Sequence, residues 1–484
     1  MSADTDTFPL RSTSPGIRTG HRRTITLVVV LVAELMNALD GSVVYTALPS
    51  IQNDTGASTA AVQWVHAAYA LTFALGLITG GRLGDLHGRK RTFLLGTGVF
   101  TAASLLCGLA GTPALLIAAR IVQGGAAAVM VPQVLATLHI TFDEGSRAKA
   151  FSLYGTVMSL GSVAGPVLGG VVTGADLFGL GWRPIFLINL PIGLAALLLG
   201  LRHLPESRDR HARRLDLVGV ALSGLGLLLI VFPLTVGGEH HWPAWSFVMP
   251  AAGLVILAVF VLQQRSRTAR GGAPLVVMAL FGNRAFSAGL AAQLVFGLLS
   301  GVFFLTWTLF MQDGLGLTPG QAALGFVAAS LGEMGGAWPA TSLAARQGRR
   351  APQSGALLAA VTLGGYAWLI AEQGAGLPLV LTVAPMLPFG LGLGMIGAAL
   401  ADMTLSEADH AHAGSASGVF NTSTQLGIAL GTALTSVVFF AHFPASSRGT
   451  AVTTAFTGTI WCVVAALSAM WALMFLLPKR TPTG

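Results

Sequence analysis

The sequence predicts an all-α membrane protein of fourteen spanning helices. Three observations predict it: an apolar excess, long unbroken apolar runs, and basic residues confined to alternate connections. Of the 484 residues 53% are hydrophobic and only 10% are charged, with a mean hydropathy of +0.73. A water-soluble domain carries about 25% charged residues, so lipid must solvate much of this chain. Continuous apolarity with Gly and Pro inside it favours helices over barrel strands, which alternate in stretches of about ten residues. The 62 glycines fit as well, because small residues let membrane helices approach closely.

A spanning helix needs roughly 20 mainly apolar residues. The first segment, about 24–49, follows a polar tail at 1–23 whose composition predicts disorder; it carries Glu34, Asn37 and Asp40. The second, 60–81, holds Gln63-Trp64-Val-His66 and Tyr69 and ends in Gly81-Arg-Leu-Gly-Asp85-Leu-His-Gly88-Arg89-Lys90-Arg91. The third is 92–110. The fourth, 113–138, contains Arg120-Ile-Val-Gln123-Gly124. The fifth, 148–174, contains Gly161-Ser-Val-Ala-Gly165-Pro166-Val-Leu-Gly169-Gly170, and the sixth, 184–202, contains Asn189. Segments 215–236 and 245–264 follow. The ninth, 286–311, is aromatic, with Phe303, Trp307, Phe310 and Met311. The tenth, 320–344, bears Glu333; then come 352–371, 377–401, 413–441 and 452–477.

Basic residues in short loops mark the cytoplasmic face. Of 27 Lys and Arg, 24 fall on alternate connections and the two tails; the exceptions are Arg120, Arg183 and Arg448. Both termini are therefore expected in the cytoplasm, which an even helix count satisfies. This distribution also assigns the net charge of +8 to topology rather than to nucleic acid. No short apolar region with a cleavage site precedes the first segment, so no signal peptide is expected. Cys107 and Cys462 lie in apolar stretches as small hydrophobes. The spacings of His410-Ala-His412 and His240-His241 do not suit a metal, and no phosphate-cradling loop suggests ATP as the energy source.

The chain repeats weakly. Thr341-Ser-Leu-Ala-Ala-Arg-Gln-Gly-Arg-Arg350 stands 260 residues after the Gly81 loop, with Leu83/Leu343, Gly88/Gly348 and Arg89/Arg349 in register. This predicts two related bundles, 24–202 and 286–477, joined by linkers at 203–214 and 265–285 around an inserted pair at 215–264, with a tail at 478–484. Parallel six-helix repeats around a central cavity mark a transporter.

These motifs resemble the major facilitator superfamily, in particular its fourteen-helix drug:proton antiporter branch. The Gly81–Arg91 loop is similar to the family's loop between helices 2 and 3, which implies gating by Asp85 and Arg89. Arg120 to Gly124 resembles the family's helix-4 motif, linked to proton coupling. Gly161, Gly165 and Pro166 match its exporter-type stretch, with Pro166 permitting a kink. Leu39 to Pro49, Trp182 to Gly193, and Gly414 to Gly427 look like signatures of that branch, except that Thr424 stands where an Arg often precedes Gln-Leu-Gly. The resemblance implies a major facilitator fold and a proton-driven exporter of small organic compounds such as drugs, antibiotics or dyes. Its partners would be substrate, protons and the bilayer. It would act as a monomer in the inner membrane, without cofactor or metal, on the proton gradient.

Ionisable residues inside a membrane are functional candidates by default, and Arg at mid-helix costs about 2.5–3.5 kcal/mol on insertion scales. Arg120 thus calls for a carboxylate, expected on the first helix. Glu34, Asn37 and Asp40, three residues apart, share an arc of about 120° rising about 9 Å. Burial disfavours the charged form of an acid and a nearby cation favours it, so a site between those pulls can load and release a proton. Asp40, Glu34, Arg120 and Glu333 are the proton-coupling candidates. Asn37, Glu34, His66, Tyr69, Trp307, Met311, Glu333 and Gln425 are the substrate-binding candidates on the expected cavity wall.

Overall fold

The protein is described here by a computed structural model covering residues 18–208, 215–406, 413–440 and 450–477. Expectations for the tail before Arg18, for Arg210, Arg213 and Arg214, and for Glu407, His410, His412, Arg448, Lys479 and Arg480 lie outside the described residues.

Fourteen long helices run through the described residues, matching the predicted segments in order. They are α1 (Arg18–Thr55), α2 (Thr59–His87), α3 (Arg89–Gly108), α4 (Pro113–Thr141), α5 (Glu144–Ala175), α6 (Pro184–His203) and α7 (Leu217–Val236). Then come α8 (Trp245–Ala269), α9 (Arg284–Leu309), α10 (Pro319–Gln347), α11 (Arg350–Gln373), α12 (Leu379–Leu405), α13 (Ala413–Val438) and α14 (Thr450–Leu473). Starts are capped as the sequence dictates: Ser58 accepts from Ala61 N–H, Thr112 from Leu115 N–H, and Thr318 with Gln321 forms a capping box before Pro319. Several helices outrun the apolar stretch that announced them, α1 and α2 by six residues each at their C-terminal ends.

Twelve stretches of the described residues are long and apolar enough to cross a bilayer by themselves. The two helices outside that set, α10 and α13, are 29 and 26 residues long. They are dilute in large apolar residues because they pack inside: α10 lies on α12 and α5, and α13 on α9, α2 and α7. Gly332, Gly336 and Gly427 admit neighbouring backbone so closely that any Cβ would collide. Large apolar side chains such as Leu95, Leu198, Leu254, Val361 and Val380 stand exposed around the outside, as lipid-facing positions must.

The packing repeats along the chain. Helix α1 packs on α5 and α6, α2 on α4, and α3 on α4 and α6; later α9 packs on α13 and α14, α10 on α12, and α11 on α12 and α14. The two groups meet along α2–α13 and α5–α10. Gly88 (φ 102°) and Gly348 (φ 58°), the residues in register by sequence, both take a positive φ that favours glycine, between α2 and α3 and between α10 and α11. Helix α7 pairs with α8 and lies over the α2–α13 seam, placing Leu227 and Val231 against Ala70, Leu71, Ala429 and Ala433.

The basic loops gather at one end. There Arg22 donates to His203 O, Lys90 to Leu201 O and Arg349 to Phe475 O. At the far end the two groups are tied together: Gln312 Nε2 donates to Thr46 O (2.9 Å), Ser436 donates to Gln63 Oε1 (2.8 Å), and Tyr45 packs on Phe304 and Phe326. Gly170 abuts Pro319 and Ala323 there too. Toward the basic end α5 and α10 part, leaving a cavity of about 240 Å³ between α5, α9, α10 and α12. The chain is held shut at the far end and open at the basic-loop end.

Candidate functional site

Two polar places stand out in this apolar frame, one sealed within α1–α6 and one on the cavity wall. In the first, Asp40 and Arg120 have no exposed side-chain surface and pair through Oδ2 and Nη1 at 2.5 Å. Every remaining contact of Asp40 is with a donor. Gln123 Nε2 gives to Oδ1 at 2.8 Å, and Asn189 Nδ2 gives to the same oxygen at 2.9 Å. Asn189 also donates to Ser104, whose hydroxyl donates to Phe186 O. Arg120 gives Nε to Val65 O (3.0 Å) and shares Nη1 with Gln123 Oε1 (2.8 Å); its Nη2 has no partner. Five helices, α1, α2, α3, α4 and α6, thus close around one ion pair.

A second strand of contacts leaves the pair through Tyr69. Its ring lies under the Arg120 guanidinium, 4.1 Å from centroid to Cζ. Its hydroxyl donates to Asn37 Oδ1 at 2.7 Å, and Asn37 Nδ2 donates to Glu34 Oε1 at 3.3 Å. Glu34 is fully buried, and its Oε2 has no partner. His66 stacks on Tyr45 (centroids 4.2 Å apart) with neither ring nitrogen bonded.

The second place is the cavity. Glu333 lies on its wall with Ser330, Met334 and Ala337 of α10, facing Met158, Ser159, Ser162 and Val163 of α5 and Phe296 of α9. Glu333 is the charged residue of that lining; the serines supply hydroxyls and the methionines adaptable apolar surface.

The structure corrects several expectations. The arc of Glu34, Asn37 and Asp40 does not face the central cavity. All three are buried, and the space beside Asp40, between α1, α5 and α6, measures only about 10 Å³, room for about one water and far too small for a substrate. Tyr69 has committed both its face and its hydroxyl, leaving nothing to offer a substrate. Trp307 and Met311 are buried in an aromatic core with Phe303, Phe310, Tyr366 and Phe456, because their face of α9 turns toward α14 rather than inward. Gln425 is half-buried on α13 and absent from the cavity lining; its neighbour Thr424 accepts from Gln293 Nε2 at 2.7 Å. Asp85 and Arg89, the expected gating residues, pair with each other four residues apart (2.9 Å) within their own loop. Gly161 and Gly165 seat α5 on α1, at Ala38 and Ser42, and Thr46 donates to Pro166 O at 3.3 Å.

Sequence reasoning quoted Gln123 and Asn189 inside motifs but gave them no role. It passed over Ser104, Ser159, Ser162 and Ser330, because isolated small polar residues in apolar helices carry no signal distinguishing a wall or ligand from packing.

The chain matches the Major Facilitator Superfamily over residues 30–432. It is 40% identical over 87% of its length to a protein of Streptomyces coelicolor named a probable actinorhodin transporter, covering 73% of that protein. It is 37% identical to the cephamycin export protein of Amycolatopsis lactamdurans, over 88% of this chain and 87% of the relative. The tetracenomycin C resistance and export protein of Streptomyces glaucescens is 33% identical over 85% of this chain and 75% of its own. Among solved structures, a D-xylose–proton symporter superposes with a TM-score of 0.66 at 16% identity, covering 94% of this chain and 98% of that one. Taken with the repeated helical packing and the cavity between the bundles, the match across most of the sequence establishes that this chain belongs to the major facilitator superfamily, as a multi-pass membrane transporter of small molecules.

Proposed function

We propose that the protein exports small organic compounds across the cytoplasmic membrane in exchange for protons, by alternating access. The observation that carries this reading is the set of relatives at 33–40% identity over most of the chain, named for transport, export or resistance to antibiotics. Substrate would enter the cavity from the basic-loop side, taken as the cytoplasmic side because loop charge sets topology. Glu333, the charged group there, favours a compound bearing a cationic or amine group, and the cluster around Arg120 supplies the proton site. No resident cofactor is invoked; the proton gradient is the energy source, and the monomer is the working unit.

A narrower reading, a dedicated exporter of one compound, is favoured by relatives named for single antibiotics. Importer and sensor readings have no such support. Susceptibility profiling of an efflux-deficient host separates the first two: protection against several unrelated compounds marks a broad exporter, protection against one a dedicated exporter. Collapse of the protection by a proton uncoupler is expected. Protection that survives the uncoupler removes the proton from the reading.

A further inference from the structure

We propose that Glu34, not Asp40, carries the exchangeable proton, with Asp40 the fixed counter-ion of Arg120 and Tyr69 the positioning residue between the two acids. The inference rests on the proton-coupled reading above and divides the labour within it.

Hydrogen-bond valence separates the two acids. Both Asp40 oxygens are taken by N–H groups, from Arg120, Gln123 and Asn189. A carboxylate suits three donors. A carboxylic acid suits them less well, because it loses the charge that strengthens those bonds and adds an O–H among N–H donors. Protonating Asp40 in place therefore weakens those bonds and leaves Arg120 an uncompensated charge in a dry bundle. Glu34 is the opposite case. It accepts one long bond from Asn37 and has a free oxygen, so a proton added there displaces nothing.

Charge balance gives the same answer. The charged and titratable groups reaching this pocket are Glu34 and Asp40 of α1, His66 and Tyr69 of α2, Cys107 of α3, Arg120 of α4 and Tyr154 of α5. With Asp40 paired to Arg120, the pocket is neutral only when Glu34 holds a proton. When that proton leaves, its carboxylate sits in the same bundle as Arg120 Nη2, a guanidinium nitrogen without a hydrogen-bond partner. Two groups of opposite sign are then linked through Tyr69, whose ring lies under the Arg120 guanidinium and whose hydroxyl holds Asn37 against Glu34. Loss of the proton thus draws Arg120 toward α1 at Glu34 and loosens its hold at Asp40. Moving the proton changes which part of α1 is bound to α4.

The test reads the proton directly and needs no substrate. Infrared difference spectra of the detergent-solubilised protein, stepped through pH, report the C=O stretch of protonated buried carboxyls. The wild type is expected to show a titrating band that is lost in Glu34→Gln and retained in Asp40→Asn. Tyr69→Phe should keep the band with a displaced midpoint, because the ring remains and the hydroxyl does not. Glu34→Asp, which preserves the acid should the amide fail to fold, should show the band at a shifted midpoint. A band that survives Glu34→Gln, or vanishes in Asp40→Asn, or is missing from the wild type, overturns the assignment. Such a failure is distinct from failure of the proton-coupled reading, which uncoupler-insensitive export would show whatever the spectra report.

Discussion

Arg120 is the side chain on which the first bundle closes, and its substitutions should separate charge from geometry. Arg120→Ala leaves Asp40 ionised in a dry pocket with only two amide donors, a loss of about 3–5 kcal/mol. The thermal midpoint of the purified protein should drop steeply. Arg120→Lys keeps the charge but cannot reach Val65 O, Asp40 and Gln123 together; folding should survive and proton-driven transport should not. A parallel contrast holds in the second bundle. Trp307→Ala hollows out an aromatic core and should cost about 3 kcal/mol of stability. Glu333→Gln, on the cavity wall, should leave the melting midpoint unchanged while export of a cationic probe falls at least tenfold. If instead Trp307→Ala is transport-defective but as stable as wild type, its placement in the core is wrong. The sequence made the Arg120–Asp40 pairing legible, because a cation in an apolar helix demands a carboxylate. It could not distinguish Trp307 from Glu333 as cavity residues, since aromatic spacing on a helix looks the same whether the face turns to a pore or to another helix.

At the level of elements, the least expected contact is the clasp that fixes the inserted pair. Asp216 caps α7 by accepting from Gly219 N–H (3.0 Å), and takes further bonds from Gln264 (2.7 Å) and Gln263 (3.1 Å) and a 3.3 Å ion pair from Arg267. Arg267 in turn donates to Ala273 O, and Arg82 of the Gly81 loop donates to Ala273 O and Pro274 O. Burial alone would raise the Asp216 carboxyl; bonds from Gln264, Gly219 and Gln263, together with the Arg267 charge, outweigh it and hold the group below the usual carboxylate range. A group depressed in the folded state stabilises above its unfolded value, near pH 4, and loses that contribution as pH falls through its folded value. The clasp should therefore be indifferent between pH 8 and 5 and weaken only in stronger acid. Asp216→Asn should lower the melting midpoint at pH 7 and abolish that acid dependence; an unchanged midpoint would remove the clasp from the stability of the fold. Loop charge and apolar length located α7 and α8 within a few residues. What they hold on to depends on uncharged glutamines and backbone carbonyls, which composition does not rank. Helices α10 and α13 are legible as apolar segments too, although neither reaches the apolar content of the other twelve.

For the whole molecule, the two ends differ in how the bundles touch. The far end is fastened by Gln63 with Ser436, Gln312 with Thr46, and the Tyr45 aromatic stack, whereas Asp85 and Arg89 at the basic end are occupied with each other. A disulfide between Gln63→Cys and Ser436→Cys should hold the far end shut and arrest export, with reduction restoring it. In a background lacking Cys462, Ser330→Cys should react with a membrane-impermeant maleimide added from the basic-loop side and be protected from the other. Labelling from both sides with the cross-link intact would contradict a closed far end. The repeat predicted two bundles but not their asymmetry, because α7 belongs to neither. By lying over the α2–α13 seam it makes one flank of the protein continuous, while the α5–α10 flank has no such cover among the described residues. A doubled bundle by itself would have two interchangeable sides. This one has a back and a front, so molecules dissolved in the surrounding leaflet meet a wall from one direction and the edge of the cavity from the other.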